Sequence, residues 1–337
     1  MKAIIYNASY THYNRGAIAL SYWLQSQSYT VELSNHQPDI FALDASLFAF
    51  SAIFTWDLPR LVAWVNQVQN HGEIWIGGPA PSANPRYVQQ MTGITPHIGP
   101  DFRFEQQPGD YKMTRSSRGC PVGCSFCIVP KIDGTRMLEY SNFPLAPALL
   151  DDNITATSQA HQERVIERLL NAGYRAIDLN SGFEPSYFNQ AVFDRFSRLP
   201  LKFWRLGFDE MKEERQVFEM MCLLRSNGVN SRAIRVYCLA GNEPFEQVHY
   251  RAEKIIEWGG EPHVQPLIPL NATEKKPVVQ RQYGWTAQRL TDFARYYNRW
   301  LWRKPGRSFD WYKSNWYRSA SKAIPKSTSQ LQLEGIK

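Results

Sequence analysis

Short apolar runs alternate with amphipathic stretches along most of this 337-residue chain, and that alternation restricts it to a parallel sheet covered by helices. Residues 2–6, 29–33, 45–54 and 73–76 read as strands, and residues 16–27 and 59–69 as helices between them. Parallel neighbours need crossovers, so each helix returns the chain to the same side of the sheet. The fourth run ends at Gly77-Gly78-Pro79, a turn at the carboxyl edge, where open α/β sheets take their ligands. The two glycines let a cofactor's nucleotide tail or phosphate approach the backbone.

Residues 101–111 lack periodicity and read as a linker. Beyond them, strand patterns at 111–117, 148–150, 175–179, 201–207, 233–239 and 263–268 alternate with helical patterns at 159–171, 187–195, 213–227 and 245–258. About six βα units of this kind close, or nearly close, into a barrel whose working end is the carboxyl edge of its strands. Residues 284–304 form a further helical stretch with aromatics on more than one face, followed by FDWYKSNWYRS and a polar tail. The expected organisation is a Rossmann-like α/β domain over 1–105, a partial barrel over 106–270 and a basic, aromatic helical extension over 271–337.

Charge follows the same division. Residues 1–110 carry five basic and eight acidic side chains, whereas residues 271–337 carry fourteen basic and four acidic ones. Aromatic and cationic groups together at the carboxyl end have two readings. The rings pack against the barrel with the charges solvated, or they offer a stacking surface to a nucleic acid. With 43% hydrophobic and 20% charged residues the chain is neither disordered nor fibrous. No apolar stretch approaches the roughly 18 residues of a membrane span. The opening segment is too short and polar for a signal peptide, and the five cysteines are an odd number, so the expected setting is cytoplasmic and reducing, with no membrane partner.

Three of those cysteines, Cys120, Cys124 and Cys127, form C-x3-C-x2-C, with Gly119 and Gly123 allowing tight turns around a bound group. Thiolates suit zinc or an iron–sulfur cluster. A structural zinc site wants a fourth cysteine or histidine at close spacing, and the flanking histidines are as far away as His97 and His161. Three thiolates on a four-iron cube leave one iron open to substrate or cofactor. Cys222 and Cys238 lie far downstream and read as packing residues.

The segment RGCPVGCSFC resembles the cluster loop of the radical S-adenosylmethionine (SAM) superfamily, and the IVP after it is especially similar to that of the methylthiotransferases. The resemblance implies a [4Fe-4S] cluster on Cys120, Cys124 and Cys127 in a TIM-like partial barrel. It also implies SAM bound at the open iron, and an external one-electron reductant such as flavodoxin or ferredoxin. The chemistry implied is cleavage of SAM to methionine and a 5′-deoxyadenosyl radical, which takes hydrogen from a substrate. By the same resemblance Phe126 lies beside the SAM adenine, and Asp151, Asp152 and Asn153 replace a Gly-Gly-Glu-type turn that binds the SAM amino group. Asn180 and Arg205, at later strand ends in DLNSGFEP and RLGFDE, contact the SAM ribose, its carboxylate or the substrate. Each also has an ordinary reading: loop packing for Phe126, an Asx turn and helix cap for residues 151–153, loop polarity for the rest.

The first segment resembles the cobalamin-binding domain that precedes many radical SAM barrels, on its strand–helix order, SAIFTWDLPRLVAWV and IWIGGPAPS. Cobalamin-assisted methyl transfer is then one candidate reaction. The others are cobalamin-independent rearrangement or oxidation, and modification of a nucleobase or nucleic acid. The Asp-x-His-x-x-Gly motif that supplies a histidine ligand is missing; His12 sits in YTHYNRG, and His36 and His71 lack the spacing too. Methylthiotransferases carry three further cluster cysteines in this domain, and residues 1–110 contain none, which excludes a standard assignment to them. Two other classes stay open: a noncatalytic iron–sulfur or regulatory protein, and a zinc-supported nucleic-acid-binding module.

Overall fold

The computed structural model describes residues 1–39 and 44–313. Its first sheet joins β1 (Lys2–Asn7), β2 (Thr30–Ser34), β3 (Leu47–Ser51) and β4 (Glu73–Gly77) in the order β2-β1-β3-β4, all parallel. The central strand β3 is buried at every residue, which explains its unbroken apolar run LFAFS. Helix α1 (Arg15–Ser26), capped by the Asn14 side chain, covers one face with Ala17 and Leu24 against Ile5 and Ala49. Helix α2 (Leu58–Val68) covers the other, setting Leu61, Trp64 and Val65 on Tyr6, Phe48 and Phe50. Helices α3 (Pro79–Ala83) and α4 (Pro85–Thr92) follow the Gly77-Gly78 turn.

Residues 101–111 are not a bare linker. Asp101 caps a one-turn helix, α5 (Phe102–Glu105), and Arg103 lies over the Trp23 and Trp75 rings. Tyr111 then packs with Ala19 and Ala146, tying α1 to the barrel. A single turn is too short to show a helical period, so the sequence pattern missed it.

The barrel runs through parallel pairings from Thr114 to β7 (Ala148–Leu149), β8 (Asp178–Leu179), the Leu201 bridge into β9 (Trp204–Gly207), β10 (Ile234–Ala240) and β11 (Glu261–Pro266). Before β7, the short antiparallel pair β5 (Ser117–Arg118) and β6 (Leu138–Glu139) brackets the cysteine loop, which holds the turn α6 (Val129–Ile132). Helices α7 (Gln159–Asn171), α8 (Gln190–Phe196), α9 (Glu214–Ser226) and α10 (Phe245–Glu257) form the outer layer. Several strands are shorter than their apolar runs, because the ladder bonds stop where the chain turns to present strand-end groups. The architecture is α/β: a Rossmann-like parallel sheet, a partial βα barrel and a helical, aromatic-rich extension.

Helix α11 (Ala287–Asn298) belongs to the barrel's own core. Trp285, Phe293 and Phe309 are buried against Phe245 on α10, Tyr297 lies against His249 of the same helix and Tyr296 against Tyr297, and Trp285 Nε1 donates to the Glu243 carbonyl at 2.7 Å. Among the described residues most of the extension's rings are therefore packing groups rather than a stacking surface; Trp300 and Trp311 stay exposed, beside Arg303 and Arg307. The remainder of FDWYKSNWYRS past Lys313, and the polar tail, lie outside the described residues. Cys238 is buried as expected, whereas Cys222 is exposed on α9 rather than packed.

Candidate active site

The cysteine loop leaves β5 through Gly119 at φ +87°, where an added Cβ would overlap the Arg136 carbonyl oxygen. Gly119→Ala is accordingly expected to displace the loop and cut iron incorporation severely, measured as iron per chain after reconstitution, whereas Gly134→Ala, with open space around it, bears only the cost of its positive φ. The three thiols are free and half-buried, and each lies within electrostatic reach of another. Burial, reinforced by the neighbouring thiols, pushes Cys124 up to about 12, and burial also raises Cys127. Two N–H groups nonetheless point at sulfur: Asn153 Nδ2 lies 3.4 Å from Cys120 Sγ, and the Val129 amide 3.5 Å from Cys127 Sγ. Donors aimed at sulfurs that burial would keep protonated suit thiolates whose charge is supplied by a bound metal group. Among the described residues no three ligating side chains converge on a single metal-ion position. Three cysteine sulfurs on one loop are the soft donor type that an iron–sulfur cluster takes.

Asp151, Asp152 and Asn153 all reach the loop, by different routes. Asp151 is 2% exposed and turned inward: it accepts from the Ser116 amide at 2.6 Å, the Ser117 amide and Ser116 Oγ at 2.9 Å, while Ser116 Oγ meets His161 Nε2 at 3.1 Å. Burial raises its pKa to about 6. Placed there it fastens the strand that carries the cluster loop, and it is not a rim group. Asp152 pairs with Arg115 at 2.7 Å and accepts from the Gly119 amide at 2.8 Å, and Asn153 caps the turn after β7 while touching Cys120. Phe126 stands half-buried between Cys124 and Cys127. Arg205 is also turned away from a ligand role, since its guanidinium holds Asp178 at 2.7 and 2.8 Å and Tyr237 Oη at 2.6 Å. Asn180 is exposed at the carboxyl end of β8.

Later strand ends supply a set of carboxylates on the Cys124 side. Glu184 follows β8, Asp209 and Glu213 follow β9, and Glu243 follows β10; Glu213 and Glu184 both act electrostatically on Cys124. Asp209 Oδ1 accepts the Leu239 amide at 2.8 Å, and Glu213 caps the Asp209 and Glu210 amides. Burial first, then Glu213, pushes Asp209 up to about 7. Buried Arg251 answers part of this charge through Glu243 at 3.1 Å. Their convergence depends on where the strands end in space, which spacing along the chain does not show.

A cavity of about 620 Å³ opens between the first sheet and the barrel. Its first-domain wall is the carboxyl edge of the sheet, with Asn14, Ser51, Gly77 and Gly78; its barrel wall includes Met113, Arg118, Leu150 and Asn180. A Cβ added at Gly77 would meet only the His97 Cβ, at 3.9 Å, whereas Gly78, at φ +102°, is required by the tight approach of Ser51 and Ala52. Much of the lining is apolar, from Ile5, Ala49, Trp75 and Ile76. A volume and lining of this kind suit a sizeable organic cofactor inserted from the sheet edge. One buried ion-pair chain crosses the junction: Arg15 and Arg118 both lie 3.0 Å from Glu105 Oε1, and Arg118 lies 2.7 Å from Asp133. Sequence reasoning missed Glu105 because it falls in the stretch that read as linker.

No family model matches the chain. Among solved structures, the radical SAM methyltransferase TsrM from Kitasatospora setae, with cobalamin and a [4Fe-4S] cluster bound, superposes with a TM-score of 0.60. This chain shares the fold of TsrM. The superposition covers 80% of this chain and 77% of TsrM at 12% identity, a likeness of architecture and not of sequence. Among curated proteins, bacteriochlorophyllide d C-12(1)-methyltransferase of Chlorobaculum tepidum is 34% identical over 111 residues, or 31% of this chain. The match spans 21% of that relative's length. Among the described residues no helix is long and apolar enough to cross a membrane.

Proposed function

We propose that the chain is a radical SAM enzyme of the cobalamin-binding kind and that it transfers a methyl group. The observation that carries this reading is the cavity walled jointly by the carboxyl edge of a Rossmann-like sheet and by barrel residues next to a three-cysteine loop. TsrM and the curated relative are both methyltransferases by name, which favours methyl transfer over rearrangement or oxidation. Cys120, Cys124 and Cys127 would hold the cluster, and the cavity a corrinoid; bound there, they supply electron transfer to SAM and a methyl-carrying cobalt. The electron comes from an external reductant such as flavodoxin or ferredoxin.

The chain's own groups do the positioning. Glu184 and Glu213 near Cys124, with Asp209 within electrostatic reach of both, offer negative charge to the cationic end of SAM, the role that the resemblance implied for Asp151, Asp152 and Asn153. Asn153 and the Val129 amide steady ligand sulfurs, Phe126 offers a ring to the adenine, and Asn180 reaches the junction where cofactor and substrate meet. Arg205 acts at one remove by fixing Asp178 and Tyr237.

Two measurements test the reading. Anaerobic incubation of the reconstituted, reduced protein with SAM, with and without methylcobalamin, is expected to give S-adenosylhomocysteine or 5′-deoxyadenosine by mass spectrometry. A protein with a full cluster that retains no cobalamin and consumes no SAM overturns it. The second is a pH profile. A carboxyl raised to about 7 holds its proton through the acid range, so folding is relatively favoured at low pH and loses that contribution as pH rises toward neutrality. Cation binding has the opposite preference, because SAM's ammonium group needs the ionised form. SAM affinity is expected to rise with pH, by up to about tenfold per unit below neutrality, and to level off above it. Asp209→Asn should flatten the profile; an unchanged slope removes Asp209 from the SAM site.

A further inference from the structure

We infer that His12 supplies the protein nitrogen that coordinates the cobalt of a corrinoid in this cavity, an inference that rests on the cobalamin reading above. The Asp-x-His-x-x-Gly spacing is absent, so geometry carries the assignment. His12 lies in the loop between β1 and α1, at the carboxyl edge of the sheet, and forms part of the cavity wall.

The loop beneath it is held unusually firmly for so exposed a segment. Asn7 Nδ2 donates to the His12 carbonyl at 3.1 Å and to Asn35 Oδ1 at 3.0 Å, and Asn14 Nδ2 donates to Asn7 Oδ1 at 3.1 Å and to Ser51 Oγ at 3.0 Å. Ser9 Oγ donates to Asp57 at 2.6 Å, and the His12 amide to the Ser9 carbonyl at 2.8 Å. Asn7, Ser9, Asn14, Ser51 and Asp57 are all buried. A buried polar network fully engaged in this way fixes one loop conformation, and the loop it fixes carries an exposed histidine.

The ring itself is oriented on two sides. It stands edge-on to Phe54, with centroids 4.7 Å apart, and Phe54 stacks on Trp56 at 4.5 Å. Thr11 Oγ1 lies 2.8 Å from Nδ1. With Nδ1–H donating to that hydroxyl, the lone pair is on Nε2, the tautomer a metal-ligating imidazole needs. No protein group among the described residues hydrogen-bonds Nε2. His97 also lines the cavity but has neither constraint: its Cβ sits by Gly77 and its ring makes no aromatic contact among the described residues. His36 and His71 do not reach the cavity. The coordinate bond forms from the Nε2 lone pair to cobalt and displaces a water, or the cofactor's own dimethylbenzimidazole nitrogen, with no change in oxidation state.

The test is electron paramagnetic resonance of the full-length protein loaded with hydroxocobalamin and reduced to cob(II)alamin. Protein labelled with 15N-histidine is expected to show a doublet on each resolved cobalt line where unlabelled protein shows a triplet. His12→Ala should lose the doublet and His97→Ala should keep it. A triplet that persists in labelled protein means the cofactor's own base coordinates, and an unsplit spectrum means no nitrogen does; either overturns the assignment while leaving the cobalamin site in place. Failure of wild-type protein to retain hydroxocobalamin on desalting overturns the cobalamin reading itself, and this inference with it.

Discussion

Cys124→Ala is expected to leave the barrel folded and to abolish both the cluster and SAM turnover. The side chain is half-buried on a loop outside the main apolar cores, so its removal opens little space in them. Circular dichroism should be unchanged. Iron content after reconstitution and the charge-transfer absorption near the blue end of the visible should instead collapse, because two remaining thiolates cannot hold a four-iron cube whose other donors come from solvent. SAM consumption should fall by at least about a thousandfold, equivalent to roughly 4 kcal/mol of barrier lowering. Cys222→Ala is the control: Cys222 is exposed on α9, and neither iron nor rate should move. Unchanged SAM cleavage by folded Cys124→Ala protein would falsify the cluster assignment. Loss of iron with normal cobalamin retention would show that the two cofactor sites are filled independently, the outcome expected if the cavity is built chiefly by the first domain.

Much of this molecule was legible in the sequence because its elements satisfy local rules. The apolar run of β1 and the helical pattern of α7 appear at nearly their observed bounds, and β3 lies inside its longer apolar run 45–54, since each is decided by burial of its own residues. That Cys120, Cys124 and Cys127 would lie near one another was legible for a similar reason, since spacing within one loop is local information. What stayed hidden depends on distant partners. Asp151 reads as a rim carboxylate at the end of a strand, yet Ser116 and Ser117, some thirty-five residues earlier, draw it inward. Arg205 reads as a ligand-binding arginine until Asp178 and Tyr237 claim its guanidinium. The Glu184–Asp209–Glu213 set exists only because β8 and β9 end side by side. His12 fails a spacing test and still meets the cavity, because Asn7 and Asn14 shape its loop. The aromatic extension was the converse case: composition allowed two readings, and only the packing of Trp285, Phe293 and Tyr297 on α10 separates them.

Glu105→Gln should be among the most destabilising single substitutions at the junction of the two domains. Its carboxylate is 4% exposed and answers two arginines, Arg15 from α1 and Arg118 from β5, each at 3.0 Å. Both guanidinium groups are largely buried, and Arg15 Nε already lacks a partner. Arg118 keeps Asp133 when Glu105 is neutralised, but Arg15 keeps no carboxylate, just the Glu105 backbone carbonyl and the face of the Tyr111 ring. A buried cation left without its counter-ion costs about 3–5 kcal/mol, far more than a surface pair returns. The comparison is Arg103→Gln, which breaks the neighbouring pair with Asp101 from a guanidinium that is 58% exposed and should cost less than about 1 kcal/mol. Thermal unfolding should therefore fall by something of the order of 10 °C in Glu105→Gln and by about 2 °C or less in Arg103→Gln. Equal small shifts would mean that water reaches the network and that Glu105 does not fasten the domains. If the large shift is found, cobalamin retention should weaken with it, because Glu105 and the two arginines that share its carboxylate all line the cavity.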